Sequence, residues 1–261
     1  MILIISDIHF GRSEAPAERA KERDAIDLIE SVRQELVSVC LLGDVFDQYV
    51  EYKHLVPKGF LRFQACLAGL ADAGIPVHYV VGNHDPWHID YYESELGVRV
   101  TKGDLTIRHG DRTVLMSHGD VAASSALSTP IRRIVRHQIS HALFRTVLPA
   151  DVAYRFTRWT KRRLSSEPID PLTVKRLDGS AARLLDEGDV DVLVYGQSHV
   201  PRCTPHRDSL YINAGSFDVD RTYVTLNDES VVVRRWNGAD VFVYPFVGDK
   251  IGRSSGLRAT E

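Results

Sequence analysis

Ile75-Pro76-Val77-His78-Tyr79-Val80-Val81-Gly82-Asn83-His84-Asp85 is an apolar run that stops at a glycine and then delivers an amide, an imidazole and a carboxylate. A short, continuous apolar run reads as a strand buried on both faces, so the polar trio falls at the rim of a sheet. Alone, such a trio is ordinary turn chemistry. Four further runs end the same way. Ile2–Ile5 leads into Asp7-Ile8-His9, and Val37–Leu42 into Gly43-Asp44-Val45-Phe46-Asp47. Thr113–Met116 leads into Ser117-His118-Gly119-Asp120, and Val190–Tyr195 into Gly196-Gln197-Ser198-His199. In open α/β sheets, ligands gather outside the carboxyl ends of the strands, so these sets are expected to converge on one edge.

The segments between the runs fix the architecture. Ala15 to Leu36 carries Ala25, Leu28, Ile29, Val32 and Leu36 at helical spacing, with Pro16 in the first turn. A second helix is expected from Lys58 to Ala73, closed by Gly74 and Pro76, and a short one from Trp87 to Leu96. Strands in one style joined by helices imply parallel βαβ units. From Val98 the pattern changes to short strands separated by Gly/Asp turns: Val98–Val100, Leu105–Arg108 and Thr113–Met116. That reads as the start of a second sheet. The same style returns in Pro201–His206, Leu210–Asn213, Thr222–Leu226, Ser230–Trp236 and Val241–Tyr244. Two mixed sheets packed face to face and flanked by helices give a four-layer αββα sandwich. The expected organisation is one α/β domain over 1–247, with a helical lid insertion at 121–167 and a disordered tail at 248–261.

With 261 residues, 44% hydrophobic and 26% charged, the chain is large enough for one well-buried core. A net charge of −3 gives no bulk attraction to nucleic acid. Cys40, Cys66 and Cys203 have no close pairing, and buried free thiols favour a reducing compartment. Met1 runs directly into the first strand, leaving no room for a signal peptide. No apolar run approaches the roughly 20 residues that span a bilayer. The expectation is a cytoplasmic protein, with a peripheral place on the membrane left open.

The polar sets carry a specific chemistry. Asp7 and His9 are two apart, so on extended backbone they face the same way. Asp44 can bridge two ions through its two oxygens; Asn83 offers an amide oxygen, and His118 and His199 offer imidazoles. Mixed O/N donors without thiolate suit Mn²⁺, Fe or Zn and argue against Cu(I) or an iron–sulfur cluster. Two cations about 3.5–4 Å apart clamp a phosphoryl group for in-line attack by water.

The order D-x-H, G-D-x-x-D, G-N-H-D, H-G-D and G-x-x-H, spread from Asp7 to about Ser216, resembles the calcineurin-like metallophosphoesterase superfamily. The resemblance implies one metal on Asp7, His9, Asp44 and His199, and a second on Asp44, Asn83, His118 and residue 197. His84 would contact the phosphate and protonate the leaving group, and Asp85 would orient His84. Members usually carry histidine where this chain has Gln197. That second site is then tuned toward Mn²⁺ or weakly occupied, or activity has been lost.

Within the superfamily, Phe46-Asp47-Gln48-Tyr49, Glu51-Tyr52-Lys53, Val56-Pro57-Lys58-Gly59-Phe60 and Trp87 are similar to a group of UDP-2,3-diacylglucosamine diphosphatases of lipid A biosynthesis. Better-known members of that group have arginine at the position of His84. The resemblance implies cleavage of a lipid-linked nucleotide, UDP-2,3-diacylglucosamine, to UMP and 2,3-diacylglucosamine 1-phosphate (lipid X). The residues between 130 and 163 agree with such a substrate: nine Arg or Lys stand there against one acid, Asp151. Ile131, Ile134, Val135, Ile139, Ala142 and Leu143 fall on one helical face that Pro149 ends. A second helix is expected after Asp151 as N-cap, with Arg155, Arg158 and Arg162 on a shared face. A basic amphipathic pair can hold a diphosphate and meet the anionic surface of the cytoplasmic membrane, or it can be a helical hairpin with a solvated basic face. Two rival readings stand beside this one. One is a phosphoesterase of a nucleotide, phosphoprotein or other lipid; the other is a non-catalytic binding module on the same fold. A nuclease is disfavoured, because the basic residues accompany an apolar stripe instead of lining a groove with stacking aromatics. The residues point to no protein partner.

Overall fold

The computed structural model describes residues 1–124, 146–152, 155 and 171–246. Strands β1 (Ile2–Ile5), β2 (Ser38–Leu42), β3 (Val77–Val80) and β4 (Arg99–Thr101) run parallel, side by side. On the other side of β1, β10 (Thr222–Leu226), β11 (Ser230–Arg235) and β12 (Asp240–Pro245) continue the same sheet antiparallel, making seven strands in the order β12-β11-β10-β1-β2-β3-β4. The second sheet has five strands, β5 (Leu105–His109), β6 (Arg112–Ser117), β7 (Val192–Tyr195), β8 (Arg202–His206) and β9 (Ser209–Asn213), ordered β5-β6-β7-β9-β8. Within it β6, β7 and β9 are parallel.

The strand period of two explains the layering. Leu3 and Ile5 turn to the helices α1 (Ala15–Val32) and α2 (Leu61–Asp72), packing with Ala25, Leu28, Ile29, Phe63, Leu67 and Leu70. Ile2 and Ile4 turn the other way and join Val114, Met116, Val192, Val194, Leu210 and Ile212 between the sheets. On the far face, Leu115, Leu193 and Tyr211 meet Leu177, Ala181 and Leu185 of a long helix over Pro171–Asp186, whose four-residue spacing makes one stripe. This is the four-layer αββα sandwich of two mixed sheets.

Several expectations are corrected. β4 does not open the second sheet; it lies at the edge of the first, parallel to β3. β10, β11 and β12 also belong to the first sheet, because β10 pairs with β1. The expected helix over Trp87–Leu96 contracts to α3 (Tyr91–Ser94), since Glu51 takes the amides of Ile89, Asp90 and Tyr91 and fixes the chain before it. α2 begins at Leu61, after Phe60 in the left-handed region at φ 53°. Cys40 and Cys203 are buried free thiols, whereas Cys66 is partly exposed. Helix α4 (Asp120–Ala123) stands where the insertion is expected to begin, and the long helix named above is α5. Within the expected insertion, the described residues 146–147, 150–152 and 155 are helical, so Asp151 lies inside a helix instead of capping it. The proposed disordered tail, Arg158 and Arg162 lie outside the described residues. Among the described residues, no helix is long and apolar enough to cross a membrane.

Candidate metal centre

The ends of β1, β2 and β3 and of β6 and β7 release their polar residues at one edge, where the two sheets meet. The close approach needs glycine at three points, one of them Gly43, whose Cβ would overlap the His118 ring. A Cβ on Gly82 would overlap the Asp44 carboxylate and its backbone nitrogen, and one on Gly196 would strike Ser6 and Asp7. The backbone is strained in the same places. Among the described residues, Asp7, His9, Asp44, Gln197 and His199 are five of nine non-glycine residues with positive φ. Such conformations cost about 1–3 kcal/mol each and gather at functional sites.

The side chains converge in two groups. In the first, His199 Nε2 lies 3.0 Å from Asp7 Oδ1 and 3.2 Å from His9 Nε2. In the second, His118 Nε2 lies 3.3 Å from both Asp44 Oδ2 and Asn83 Oδ1. Asp44 stands between them, because its Oδ2 is also 3.9 Å from His9 Nε2. Its other oxygen accepts the His84 amide at 2.8 Å, which fixes the carboxylate plane. His118 Nδ1 faces the Leu42 carbonyl at 3.0 Å. A proton held there leaves Nε2 as a lone pair pointing at two other acceptors. Acceptors facing acceptors at this range call for a proton or a cation between them.

Two further atoms favour a cation. Gln197 Oε1 is buried with no hydrogen-bond donor, and Asp7 Oδ1 meets only the imidazole nitrogens of His199 and His9; buried acceptors are rarely left so poorly served. The donors are carboxylate, amide and imidazole, with ligating atoms of Asp7, His9 and His199, and of Asp7, Asp44 and His118, lying within 4.8 Å of one another. Such a set fits divalent first-row ions. Gln197 enters through its backbone N–H, which donates to Asp7 Oδ2 at 3.0 Å.

The electrostatics follow from this crowding. Burial opposes charge on the Asp7 and Asp44 carboxyls, yet the imidazoles around them hold both well below the usual carboxylate range. Burial likewise opposes charge on His118 and His199, but Asp44 and Asp7 raise both imidazoles. Around His9, burial wins and lowers the ring. The site therefore attracts positive charge, as protons or as metal.

His84 reaches the mouth of the cluster, half-buried, with Nε2 3.7 Å from Asp44 Oδ2 and Nδ1 3.3 Å from the Asp47 carbonyl. The expectation that Asp85 orients His84 is corrected. Asp85 is fully buried and points back into the fold, where Oδ2 accepts Val45 N–H at 2.7 Å, Phe46 N–H at 3.3 Å and the Tyr79 hydroxyl at 2.6 Å. Its Oδ1 accepts Gly82 N–H at 2.7 Å and Asp44 N–H at 3.3 Å. Asp85 thus ties the Asp44 turn to the Gly82 turn. Burial and the Asp44 charge raise its carboxyl to about 6.

Sequence reading missed a second ring of support. Lys21, buried on α1, donates to the His9 carbonyl at 3.0 Å and to Asp218 at 2.5 Å. Arg12 at the mouth donates to Asp47 at 3.0 Å, and its Nη2 lies 3.1 Å from His9 Nδ1. Asp47 was visible as the second acid of its motif; Asp218, some 200 positions along the chain from Lys21 and Arg12, carried no local signal. Of the arginines expected to bind substrate, Arg155 is helical and exposed.

Comparison with known proteins agrees with this geometry. The sequence profile of calcineurin-like phosphoesterases matches residues 1–201. A protein named UDP-2,3-diacylglucosamine hydrolase from Porphyromonas gingivalis is 32% identical over 161 residues, which are 61% of this chain and 58% of that protein. The match thus spans less than two thirds of that relative. A protein of the same name from Bordetella parapertussis is 26% identical over 205 residues, 76% of each chain. Among solved structures, Yfce, a phosphoesterase from E. coli, is similar with a TM-score of 0.49 at 16% identity, covering 93% of this chain and 97% of that one.

Proposed function

Since the chain belongs to the calcineurin-like phosphoesterase family, we propose that it is a metal-dependent hydrolase that cleaves the diphosphate of UDP-2,3-diacylglucosamine to UMP and 2,3-diacylglucosamine 1-phosphate. The observation that carries this reading is the buried cluster of carboxylates, amides and imidazoles, in a chain whose relatives bear that substrate in their names.

Asp7, His9, Asp44 and His199 would hold one divalent cation, and Asp44, Asn83, His118 and Gln197 a second, with Mn²⁺ the best match to the oxygen-rich second set and Fe or Zn the alternatives. When bound, such ions activate water and neutralise phosphoryl charge. The rest is the work of the side chains. Asp44, fixed by the His84 amide, sets the distance between the two groups. Water adds to phosphorus, the bridging P–O bond breaks, and the departing phosphate needs a proton. His84 supplies it from Nε2, because Nδ1 is directed at the Asp47 carbonyl. Asp85 holds the Asp44 and Gly82 turns in register and touches no reacting atom. Arg155, with Arg158 and Arg162, would meet the diphosphate or the membrane. We place the enzyme at the cytoplasmic face of the membrane that holds its lipid substrate.

The test is a substrate panel with Mn²⁺ present. UMP release from UDP-2,3-diacylglucosamine, well above turnover of simple phosphodiesters, is the expected result. Turnover of simple phosphodiesters without UMP release would remove the lipid assignment and leave a phosphoesterase of another class.

A further inference from the structure

Beside the candidate centre, the chain from Lys53 to Arg62 (Lys-His-Leu-Val-Pro-Lys-Gly-Phe-Leu-Arg) contains three fixed cations and no acid. It is an outer loop with an unusual surface. Leu61 is 73% exposed and Leu55 60%, with Val56 also exposed. Lys53, Lys58 and Arg62 are exposed among them. A folded monomer has no reason to present three large aliphatic side chains within seven residues of its surface unless something covers them.

The insertion continues this surface. The Tyr52 hydroxyl donates to the Leu148 carbonyl at 2.9 Å, tying the base of the loop to the insertion. Val147, 65% exposed, and Val152 flank that bond, and Arg155 lies exposed one turn beyond. Between loop and insertion lies a cavity of about 370 Å³, lined by Val50, Tyr52, Val56, Lys58, Ala150 and Asp151. Among the described residues, Asp151 is the one acid lining the cavity.

We propose that the 53–62 loop, residues 147–152 and Arg155 form a single surface that docks on an anionic lipid bilayer. Aliphatic side chains interleaved with four cations, against the single acid Asp151 among the described residues, match the two layers of such a surface. Leu55, Val56, Leu61, Val147 and Val152 enter the acyl boundary, while Lys53, Lys58, Arg62 and Arg155 meet the head groups. A protein partner would favour aromatic anchors, whereas the exposed large side chains named here are aliphatic and, Asp151 apart, the charged ones are cationic. The surface adjoins the candidate centre through Tyr52, because the loop follows directly on the strand exit that carries Asp44 and Asp47. The inference rests on the lipid-linked substrate proposed above and adds the face by which the enzyme would reach it.

The test is sedimentation of the full chain with vesicles of phosphatidylglycerol and phosphatidylethanolamine, against vesicles of phosphatidylcholine alone. The wild type is expected to bind the anionic vesicles and lose them at high salt. A cation near an anionic surface changes partitioning about fivefold. Reversing three of them in Lys53→Glu/Lys58→Glu/Arg62→Glu is therefore expected to weaken binding on the order of a hundredfold. Leu55→Ser/Leu61→Ser is expected to weaken it while keeping the salt dependence. Hydrolysis of a soluble phosphodiester should stay at the wild-type level in both variants, reporting an intact fold. Equal binding by wild type and variants, or no preference for anionic vesicles, would overturn the proposal. The two readings fail separately. UMP release in detergent without vesicle binding removes the docking surface alone, and vesicle binding without UMP release removes the substrate alone.

Discussion

Asp85→Asn is the perturbation that most clearly separates a brace from a catalytic partner. The carboxylate is fully buried and accepts five hydrogen bonds, from the amides of Asp44, Val45, Phe46 and Gly82 and from the Tyr79 hydroxyl. An asparagine has one acceptor oxygen, so its NH₂ must face donors on one side. The less damaging choice turns NH₂ toward Gly82 and Asp44. That loses one short bond and one long one, and leaves two buried N–H groups without an acceptor. Unmet buried donors cost roughly 1–3 kcal/mol each, and the longer bond is the weaker, so the expected loss is about 2–4 kcal/mol. Against total stabilities of roughly 5–15 kcal/mol that is large but leaves the fold populated. Denaturant unfolding at constant m-value gives the first number, and cation affinity gives the second. Affinity should fall with stability, since the Asp44 turn loses its anchor. A variant with wild-type stability and cation affinity, but with an altered pH profile of turnover, would refute the brace and return Asp85 to His84.

Three further outcomes are expected. Gly82→Ala would drive a methyl into Asp44, and a rigid overlap of this kind costs typically 1–3 kcal/mol or more; soluble protein with normal cation affinity would count against the tight turn. His84→Gln should lower turnover roughly a hundred- to ten-thousandfold with cation content unchanged. Since His84 Nε2 also lies with His9 and Asp44 in one cluster, loss of a cation in that variant would make it a ligand instead of the proton donor. Third, thermal stability should slope oppositely with pH in the metal-free and metal-loaded protein. In the metal-free protein, His118 and His199 are raised above 6.5 by Asp44 and Asp7, against burial. Their contribution is complete below 6.5 and is lost as pH rises through the raised values. His9, lowered by burial, acts only below 6.5, and Asp7 and Asp44 act only below 3.8. Above 6.5 the chelated protein should therefore lose stability, whereas the loaded one gains, because bound cations compete with the same protons. Parallel slopes in calorimetry would show that these imidazoles do not face the cation.

The strands and their exits were legible because burial is written in composition. Ile2–Ile5 and Thr222–Leu226 fall where their apolar runs stand. Which sheet a strand joins was not legible for β4, β10, β11 and β12, since alternation reports faces and not neighbours. The cluster itself was legible as glycine–acid–histidine sets after strands. The role of Asp85 was not, because the resemblance implied a contact with His84, whereas the carboxylate turns back into the fold onto the Asp44 and Gly82 turns. Lys21 on α1 carried no signal of burial in the sequence. Its acceptor, Asp218, arrives from 197 residues away and makes its burial tolerable.

Stripping the protein with chelator and titrating Mn²⁺ back while following UMP release from UDP-2,3-diacylglucosamine tests the central claim most directly. No UMP should form without metal, and release should rise to a plateau as two cations bind per chain. Full-rate release in chelator, or none at any metal concentration with an intact fold, would contradict it.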